Sequence, residues 1–359
     1  MSQKKPSELL GLYIHWPYCL SKCPYCDFAS SVCKQIDEGA LLSGYQRDLK
    51  KFTTDRPITS IFFGGGTPSL MSVPFLEKLM QEIQKNYKIA PDIEISMEAN
   101  PDAISLDKMR EFKQLGINRL SIGVQALDEK ALLFLGRRHT LNRAIECIQE
   151  AKSIFHNINI DLIYARPHQS LPSWAKELDN ALSLNLQHYS LYQLTIEDNT
   201  VFAHRRQKPA SEAQARKLYI STEKIMTQAG FSSYEVSNYA KPGFECRHNL
   251  TYWLGADYIG IGPAAHGRLG LTATENPRTV QTWLQQGTKT ETLTPEQRNI
   301  EKLLMGLRLK NYDFPTKGIP GKNLQEAINK GWIVQNESGI RPTLQGTLML
   351  NQLILLLLR

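Results

Sequence analysis

Short runs of β-branched and aromatic residues alternate with longer stretches of helical periodicity between residue 11 and about residue 240. Six such pairs occur, and the runs that predict strands are residues 11–16, 58–63, 92–98, 118–124, 158–164 and 188–194. Strands that alternate with helices favour an α/β fold in which a parallel sheet carries its helices outside. Because crossovers between parallel strands are right-handed, we expect the six units to form a partial (β/α)6, TIM-like barrel.

The pattern changes after residue 240. Residues 235–267 are rich in glycine and aromatic side chains, and short helical stretches begin near residue 277. A pair of short strands is predicted at residues 332–334 and 339–341, before a last helix from residue 343. We therefore predict a barrel core over residues 1–240, a connecting segment over residues 241–270, and a small, mostly helical, winged-helix-like domain over residues 271–359.

Composition and charge narrow the class of protein. The chain has 359 residues, of which 42% are hydrophobic and 21% charged, as in ordinary globular proteins. Its net charge is +7, but no arginine-rich recognition helix is present, so nucleic-acid binding is not expected. The first apolar run is broken by Trp16 and Pro17, which does not suit a secretory signal, and the apolar C-terminal run is too short for a transmembrane segment. We expect a cytoplasmic protein whose six cysteines stay reduced.

Polar residues recur where the predicted strands end. A loop with three cysteines follows the first strand, residues 64–69 (GGGTPS) follow the second, and the later strands end near Glu98, Gln125, Asp161 and Gln193. In barrels of this type, the C-terminal ends of the strands carry the functional groups. These residues are therefore predicted to meet at one rim.

The cysteine loop has the spacing C-x3-C-x2-C, with Cys19, Cys23 and Cys26. Three thiolates on a four-iron cluster leave one iron open to a small molecule, since such clusters ordinarily take four thiolates. Zinc bound by the same cysteines with His15 as the fourth ligand is an alternative, because zinc sites combine Cys and His. Unligated thiols are the third alternative.

The cysteine spacing, with an aromatic residue just before the third cysteine, resembles the signature of the radical S-adenosylmethionine (SAM) superfamily. Further segments occur in the order seen in the oxygen-independent coproporphyrinogen III oxidase family, and they are YIHWPYC, FGGGTPS, EANP, GVQ, LGRRH and DLIY. The resemblance covers nearly all of the chain. It implies a 4Fe–4S cluster whose open iron is chelated by the amino and carboxylate groups of SAM.

Residue roles follow from the resemblance. Cys19, Cys23 and Cys26 would bind the cluster. The SAM site would consist of Tyr13, Tyr25, Gly65, Gly66, Thr67, Glu98, Gln125, Arg137 and Asp161. Glu98 can pair with the SAM ammonium group and Arg137 with its carboxylate. One departure concerns the loop after DLIY, where relatives have glycines and this chain has Ala165 and His168, which puts the shape of that loop in doubt.

Two branches of the family differ just after the cluster loop. The decarboxylating oxidases resemble C-x3-C-x2-C-x-C, whereas this chain has Phe28 at the last position. This variant resembles the HemW-like haem-chaperone branch. His248, Tyr252 and Trp253 match the H-N-x-x-Y-W motif associated there with haem, and Cys246 is a second candidate for the iron.

The expected function is that of a haem chaperone, which binds haem and transfers it to acceptor proteins, respiratory ones among the candidates. Its cofactors would be a 4Fe–4S cluster, SAM and haem, no residue is assigned as catalytic, and a homodimer is compatible with the chain. One alternative is an oxygen-independent coproporphyrinogen III oxidase. The other is a zinc-binding interaction protein without redox chemistry.

Overall fold

The structure is a computed structural model that describes residues 5–359, so residues 1–4 of the predicted core lie outside the described part. The strands of this part are β1 (Leu10–Trp16), β2 (Tyr18–Cys19), β3 (Ser31–Val32), β4 (Ile58–Gly65), β5 (Ile89–Ala99), β6 (Arg119–Gln125), β7 (Asn157–Tyr164), β8 (His188–Gln193), β9 (Ser232–Ser233), β10 (Asn238–Ala240), β11 (Asp257–Ile261), β12 (His266–Leu269), β13 (Thr272–Glu275), β14 (Lys289–Thr292), β15 (Ile333–Asn336) and β16 (Gly339–Pro342).

The α-helices of the same residues are α1 (Glu38–Lys51), α2 (Val73–Asn86), α3 (Leu106–Gln114), α4 (Glu129–Phe134), α5 (Leu141–Lys152), α6 (Leu171–Ser183), α7 (Val201–His204), α8 (Glu212–Gln228), α9 (Arg247–Trp253), α10 (Val280–Gln286), α11 (Pro295–Gly306), α12 (Gly321–Asn329), α13 (Leu344–Leu348) and α14 (Leu350–Leu357). Most of them begin at a polar residue. Ser72, for example, accepts a hydrogen bond from the Phe75 amide and so satisfies one free donor of the first turn of α2.

The six predicted strands are adjacent and parallel in the order β1, β4, β5, β6, β7, β8. The α/β prediction is confirmed, and each predicted strand overlaps the observed one. The sheet has twelve strands in the described residues and ends at β14 and β9, so it is a partial barrel that does not close on itself. One continuous apolar core joins strand residues such as Leu12 and Ile122 to helix residues such as Leu76 and Ile148.

Helix α9 covers the N-terminal end of the barrel strands. The ring of His248 lies on Gly11 of β1, where an added Cβ would come within 3.1 Å of the imidazole, and its Nδ1 is 3.0 Å from Ser60 Oγ of β4. Both contacts are near the start of their strands. The cysteine loop follows the end of β1, so the two candidate functional segments, the cysteine loop and α9, occupy opposite ends of the barrel.

The C-terminal part has its own apolar cluster, built from α11, α12, α14 and the antiparallel pair β15–β16. This agrees with the predicted helical unit and strand pair. The last predicted helix is interrupted at Met349, which separates α13 from α14. The central sheet itself runs past residues 240 and 270 to Thr292, so β12–β14 extend the core sheet and the domain division stays a prediction.

Within residues 5–359, no helix combines the length and the apolar character that crossing a bilayer requires.

The loop after β7 keeps a backbone that glycine favours, although its residues are not glycine. Ala165 has φ 58° and His168 has φ 61°. Arg166, between them, donates from both terminal nitrogens to the carboxylate of Glu177 in a buried ion pair, and Glu177 also accepts the Leu127 amide at 2.8 Å. These bonds hold the loop in place, so the departure in sequence does not abolish the turn.

Replacing His168 by glycine is expected to stabilise the protein. The left-handed backbone costs a residue with a side chain about 1 kcal/mol, and the greater freedom of glycine in the unfolded chain offsets part of that gain. We expect His168→Gly to raise the free energy of unfolding by about 0.5 kcal/mol, measured from the urea midpoint.

The matched control is Ala175→Gly in the interior of α6, which should lower the same free energy by about 1 kcal/mol. Equal destabilisation by both variants would contradict the assignment of strain to His168.

Candidate functional site

A cavity of about 510 Å³ extends along the barrel from the cysteine loop to α9. Its walls include every residue predicted for the cluster and for SAM, namely Tyr13, Cys19, Cys23, Tyr25, Cys26, Gly65, Gly66, Thr67, Glu98, Gln125, Arg137 and Asp161. Of the residues predicted for haem, His248 and Tyr252 line it as well. The structure thus brings the predicted rim residues together in one space.

The glycine loop after β4 holds the cysteine loop in place. The Gly66 amide donates to Trp16 O at 2.7 Å, and the Thr67 amide donates to Tyr18 O at 2.8 Å. A Cβ at Gly66 would lie 2.5 Å from Tyr18 O, and Gly65 has φ 108°. Glycine is therefore required here for contact with the cysteine loop, in addition to any ligand.

His15 fastens the cysteine loop to β1. Its Nδ1 is 3.0 Å from the Tyr13 hydroxyl and its Nε2 is 2.9 Å from Ala29 O, so both ring nitrogens have partners. Burial lowers the pKa of this imidazole, which keeps it neutral. The zinc alternative, in which His15 supplies a fourth ligand, is not supported by this arrangement, because no ring nitrogen is free.

The three thiols fit a cluster better than a single ion. In the described residues, no three His, Cys, Asp or Glu side chains converge closely enough to hold one metal ion. A cubane presents a separate iron to each thiolate, so sulfurs that share a cavity without meeting at one point suit it. Burial raises the pKa of Cys26 to about 11, and ligation must therefore release a proton from this thiol.

Arg137 stands between the cluster loop and the predicted SAM residues. One terminal nitrogen lies 3.3 Å from Cys23 Sγ, and the other donates to Asn100 Oδ1 at 2.6 Å and to Gly123 O at 2.8 Å. Asn100 donates in turn to Thr67 Oγ1 at 3.0 Å. This network holds the guanidinium where it can meet a carboxylate beside the cluster.

Asn100 was missed among the sequence predictions. It belongs to the segment EANP, directly after β5, so the signal was the motif itself.

Glu98 is the acidic group of the rim. Its Oε2 accepts the Gly65 amide at 3.2 Å. Burial, together with the nearby carboxylate of Asp161, raises the pKa of Glu98 to about 8. The carboxyl is therefore mostly neutral at pH 7 before a ligand binds, and a cationic ligand would favour its ionised form.

The polar residues along β6 and β7 complete the walls. Gln125 ends β6 with φ 71°, next to a register shift against β7, and this turns its side chain into the cavity. On β7, Asn159 Nδ2 donates to Asp161 Oδ1 at 2.8 Å. Arg119, Ser121 and Asn159 also line the cavity and were not predicted. Their alternate spacing along the strands was the available signal.

Two of the sequence candidates for haem lie away from the cavity. Trp253 is absent from its walls, and its ring faces the Arg308 guanidinium at 5.6 Å. Cys246 is fully buried, with its sulfur 3.6 Å from Glu94 Oε1. His248 and Tyr252 remain at the floor of the cavity, hydrogen-bonded to each other through His248 Nε2.

Similarities to known proteins agree with this site. The model of the radical SAM superfamily matches residues 13–179. The heme chaperone HemW of Escherichia coli (strain K12) is 35% identical over 97% of this chain and 98% of that protein, and the heme chaperone HemW of Bacillus subtilis is 35% identical over 95% and 97%. The solved coproporphyrinogen III oxidase HemN of Escherichia coli, a radical SAM enzyme, superposes with a TM-score of 0.84 at 23% identity, over 98% of this chain and 90% of that one, which shows a common fold.

Loss of one of the three cysteines predicted to bind the cluster is expected to prevent the protein from retaining iron. We expect Cys23→Ser to retain little iron and sulfide after anaerobic reconstitution, because two thiolates hold a cubane poorly. Cys33→Ser is the matched control, since Cys33 lies near the loop but donates to Gln35 O and is absent from the cavity walls. Full iron content in Cys23→Ser, or equal loss in both variants, would contradict the assignment.

Binding of SAM is expected to depend on pH through Glu98. A carboxyl with a pKa of about 8 is mostly protonated at pH 6.5 and mostly ionised at pH 8.5. The ligand is cationic, so its affinity should rise with pH by about tenfold over this range. Equilibrium dialysis with labelled SAM measures this.

Glu98→Gln should bind weakly at every pH, with no such rise. Glu197→Gln, at another carboxylate of the same cavity, should keep the wild-type profile. A rising profile in Glu98→Gln would assign the titration to another group.

Proposed function

We propose, from the premise that the chain belongs to the family of the heme chaperone HemW within the radical SAM superfamily, that it binds haem and transfers it to acceptor proteins. Membership of this superfamily implies a 4Fe–4S cluster and SAM as cofactors. The observation that carries the proposal is that relatives named heme chaperones match this chain nearly from end to end.

Cys19, Cys23 and Cys26 would hold the cluster, with Glu98 and Arg137 on the amino and carboxylate groups of SAM. When bound, the two cofactors supply reductive chemistry at the rim. The chain's own contribution is to orient SAM through charges that the fold has already positioned, and to enclose it inside the barrel. A cytoplasmic location, respiratory acceptor proteins and a homodimeric state belong to the same proposal.

The alternative, oxidative decarboxylation of coproporphyrinogen III, is disfavoured by Phe28. Its ring occupies the sequence position of the fourth cysteine and is 58% exposed at the edge of the cavity. A phenyl group can neither ligate iron nor carry a proton. The fold shared with HemN does not reverse this preference, because a common barrel hosts many functions.

His248 and Tyr252 are the residues that we assign to haem at the cavity floor. In the structure, His248 Nδ1 meets Ser60 Oγ and Nε2 meets the Tyr252 hydroxyl, so coordination of iron requires Tyr252 to release Nε2. Burial, with a further contribution from Arg119, lowers the pKa of His248 to about 3, so the ring is neutral, as an iron ligand must be. Trp253 is left out of this assignment because of its position.

Titration of the reconstituted protein with haem, followed by the Soret band, is expected to reveal one saturable site. His248→Ala should weaken binding by about tenfold or more and shift the band, because a ligand to iron is lost. Trp253→Phe should bind like the wild type, since its indole lies outside the cavity. Absence of saturable binding in the wild type would refute the proposed function, whereas an unchanged His248→Ala would refute only the assigned site.

A companion assay separates the chaperone from the oxidase. Reconstituted protein with coproporphyrinogen III, SAM and a reductant should yield no protoporphyrinogen. Stoichiometric product would overturn the proposal in favour of the oxidase.

A further inference from the structure

The floor of the cavity contains a buried cation that forms no salt bridge within residues 5–359. Arg119 begins β6, is 2% exposed, and lines the cavity. Its Nε has no hydrogen-bond partner among residues 5–359. A guanidinium does not give up its proton in proteins, and an unpaired buried charge is costly. A ligand with an anionic group would supply both the missing hydrogen-bond acceptor and a counter-charge.

The backbone of Arg119 lies well below the rim, although its charge still acts on the carboxyl groups of Glu98 and Asp161. The side chains of Arg119, Ser121 and Gln125 alternate along the inner face of β6, and all three line the cavity. Six residues of strand span about 20 Å, so the backbone of Arg119 lies about that far below Gln125. The SAM carboxylate is assigned to Arg137 beside the cluster, and Arg119 is therefore left for another ligand.

The nearest carboxylates are committed to other donors. Glu94 Oε1 accepts the backbone amides of Arg247 at 3.0 Å and His248 at 3.4 Å. Asp161 accepts from Asn159, and burial raises its pKa. The carboxyl groups of Glu94 and Asp161 favour the charged form of Arg119 electrostatically, but neither forms a hydrogen bond with it.

The histidines near Arg119, His248 and His188, are neutral. Burial, and then the charge of Arg119, lowers the pKa of His248 to about 3 and the pKa of His188 well below its usual value. Ser121, Asn159 and Ser190 contribute neutral hydrogen-bonding groups. Within the described residues, the floor is thus a polar pocket around a cation whose Nε lacks a partner, which suits an anionic group.

We propose that Arg119 binds a carboxylate of the cargo, one of the two propionate groups of haem. The planar fork of a guanidinium matches a carboxylate with two parallel hydrogen bonds. Burial from bulk water strengthens that pairing. This inference rests on the proposed function and adds to it the group by which the cavity recognises the porphyrin. Arg119 is a binding residue in this role, with no part in redox chemistry.

The test compares haem with haem dimethyl ester, in which both propionates are uncharged. The wild type should bind the ester about tenfold more weakly than the diacid, because Arg119 loses its counter-charge. Arg119→Gln should bind the diacid about as weakly as the wild type binds the ester, and should show no preference between them. Since each variant is judged by its ratio, differences in porphyrin solubility cancel.

Lys22→Gln is the matched control, because Lys22 is a cation of the same cavity at its outer end, where it donates to Phe28 O and Ser30 O. It should keep the wild-type preference. Arg119→Lys, which keeps the charge but lacks the fork, should retain part of the preference, and it decides the question if the glutamine variant does not fold.

Each remaining outcome is informative. An Arg119→Gln protein that still prefers the diacid would overturn the inference and leave the proposed function intact. An Arg119→Gln protein that loses SAM affinity, with its porphyrin preference unchanged, would assign Arg119 to the SAM carboxylate and overturn the inference. A wild type that binds neither porphyrin would refute the proposed function itself.

Discussion

Two backbone hydrogen bonds support the functional end of the barrel. The amides of Gly66 and Thr67 bind the carbonyl oxygens of Trp16 and Tyr18, and so join the loop after β4 to the cysteine loop after β1. A side chain at Gly66 would collide with Tyr18 O, so the loops approach this closely only because glycine is present. The position of the three thiols relative to the strand ends therefore depends on a contact between main chains.

From that junction the polar network extends across the rim. Thr67 meets Asn100, Asn100 meets Arg137, and Arg137 meets the sulfur of Cys23. The same side chains that would orient SAM are thus bonded to the segment that would hold the cluster. Such positioning before binding reduces the cost of ordering the site, and it explains how a cavity lined with polar groups can bind specifically.

Much of the fold and of the rim could be predicted from the sequence. Parallel strands with buried faces have strong and regular hydrophobic patterns, and their C-terminal ends meet at one rim. Residues such as Glu98 and Arg137 were predicted there and line one cavity with the cysteines. Predictions were weaker where the direction of a side chain decides whether the residue lines the cavity. Trp253 follows Tyr252 directly, yet on the short helix α9 the two point to different surroundings, one to Arg308 and one to the cavity. Periodicity also missed the strands β11–β14, because each has only 4 or 5 residues and so short a run shows little alternation.

Residues of the rim were predicted from the sequence better than residues of the floor. The difference has a physical origin, and it bears on specificity. Many rim groups lie at the ends of strands or in the loops that follow them, where glycine, proline and charged residues form recognisable motifs. A floor group such as Arg119 lies at the start of a strand, where alternation with apolar residues is typical of any half-buried strand and does not by itself mark a binding group. A cluster and SAM are shared by the whole superfamily and do not distinguish one bound molecule from another. Other residues of the cavity must therefore provide that selectivity. The buried guanidinium of Arg119, whose Nε lacks a partner among residues 5–359, and the exposed ring of Phe28 at the edge of the cavity are the groups that such a distinction would use.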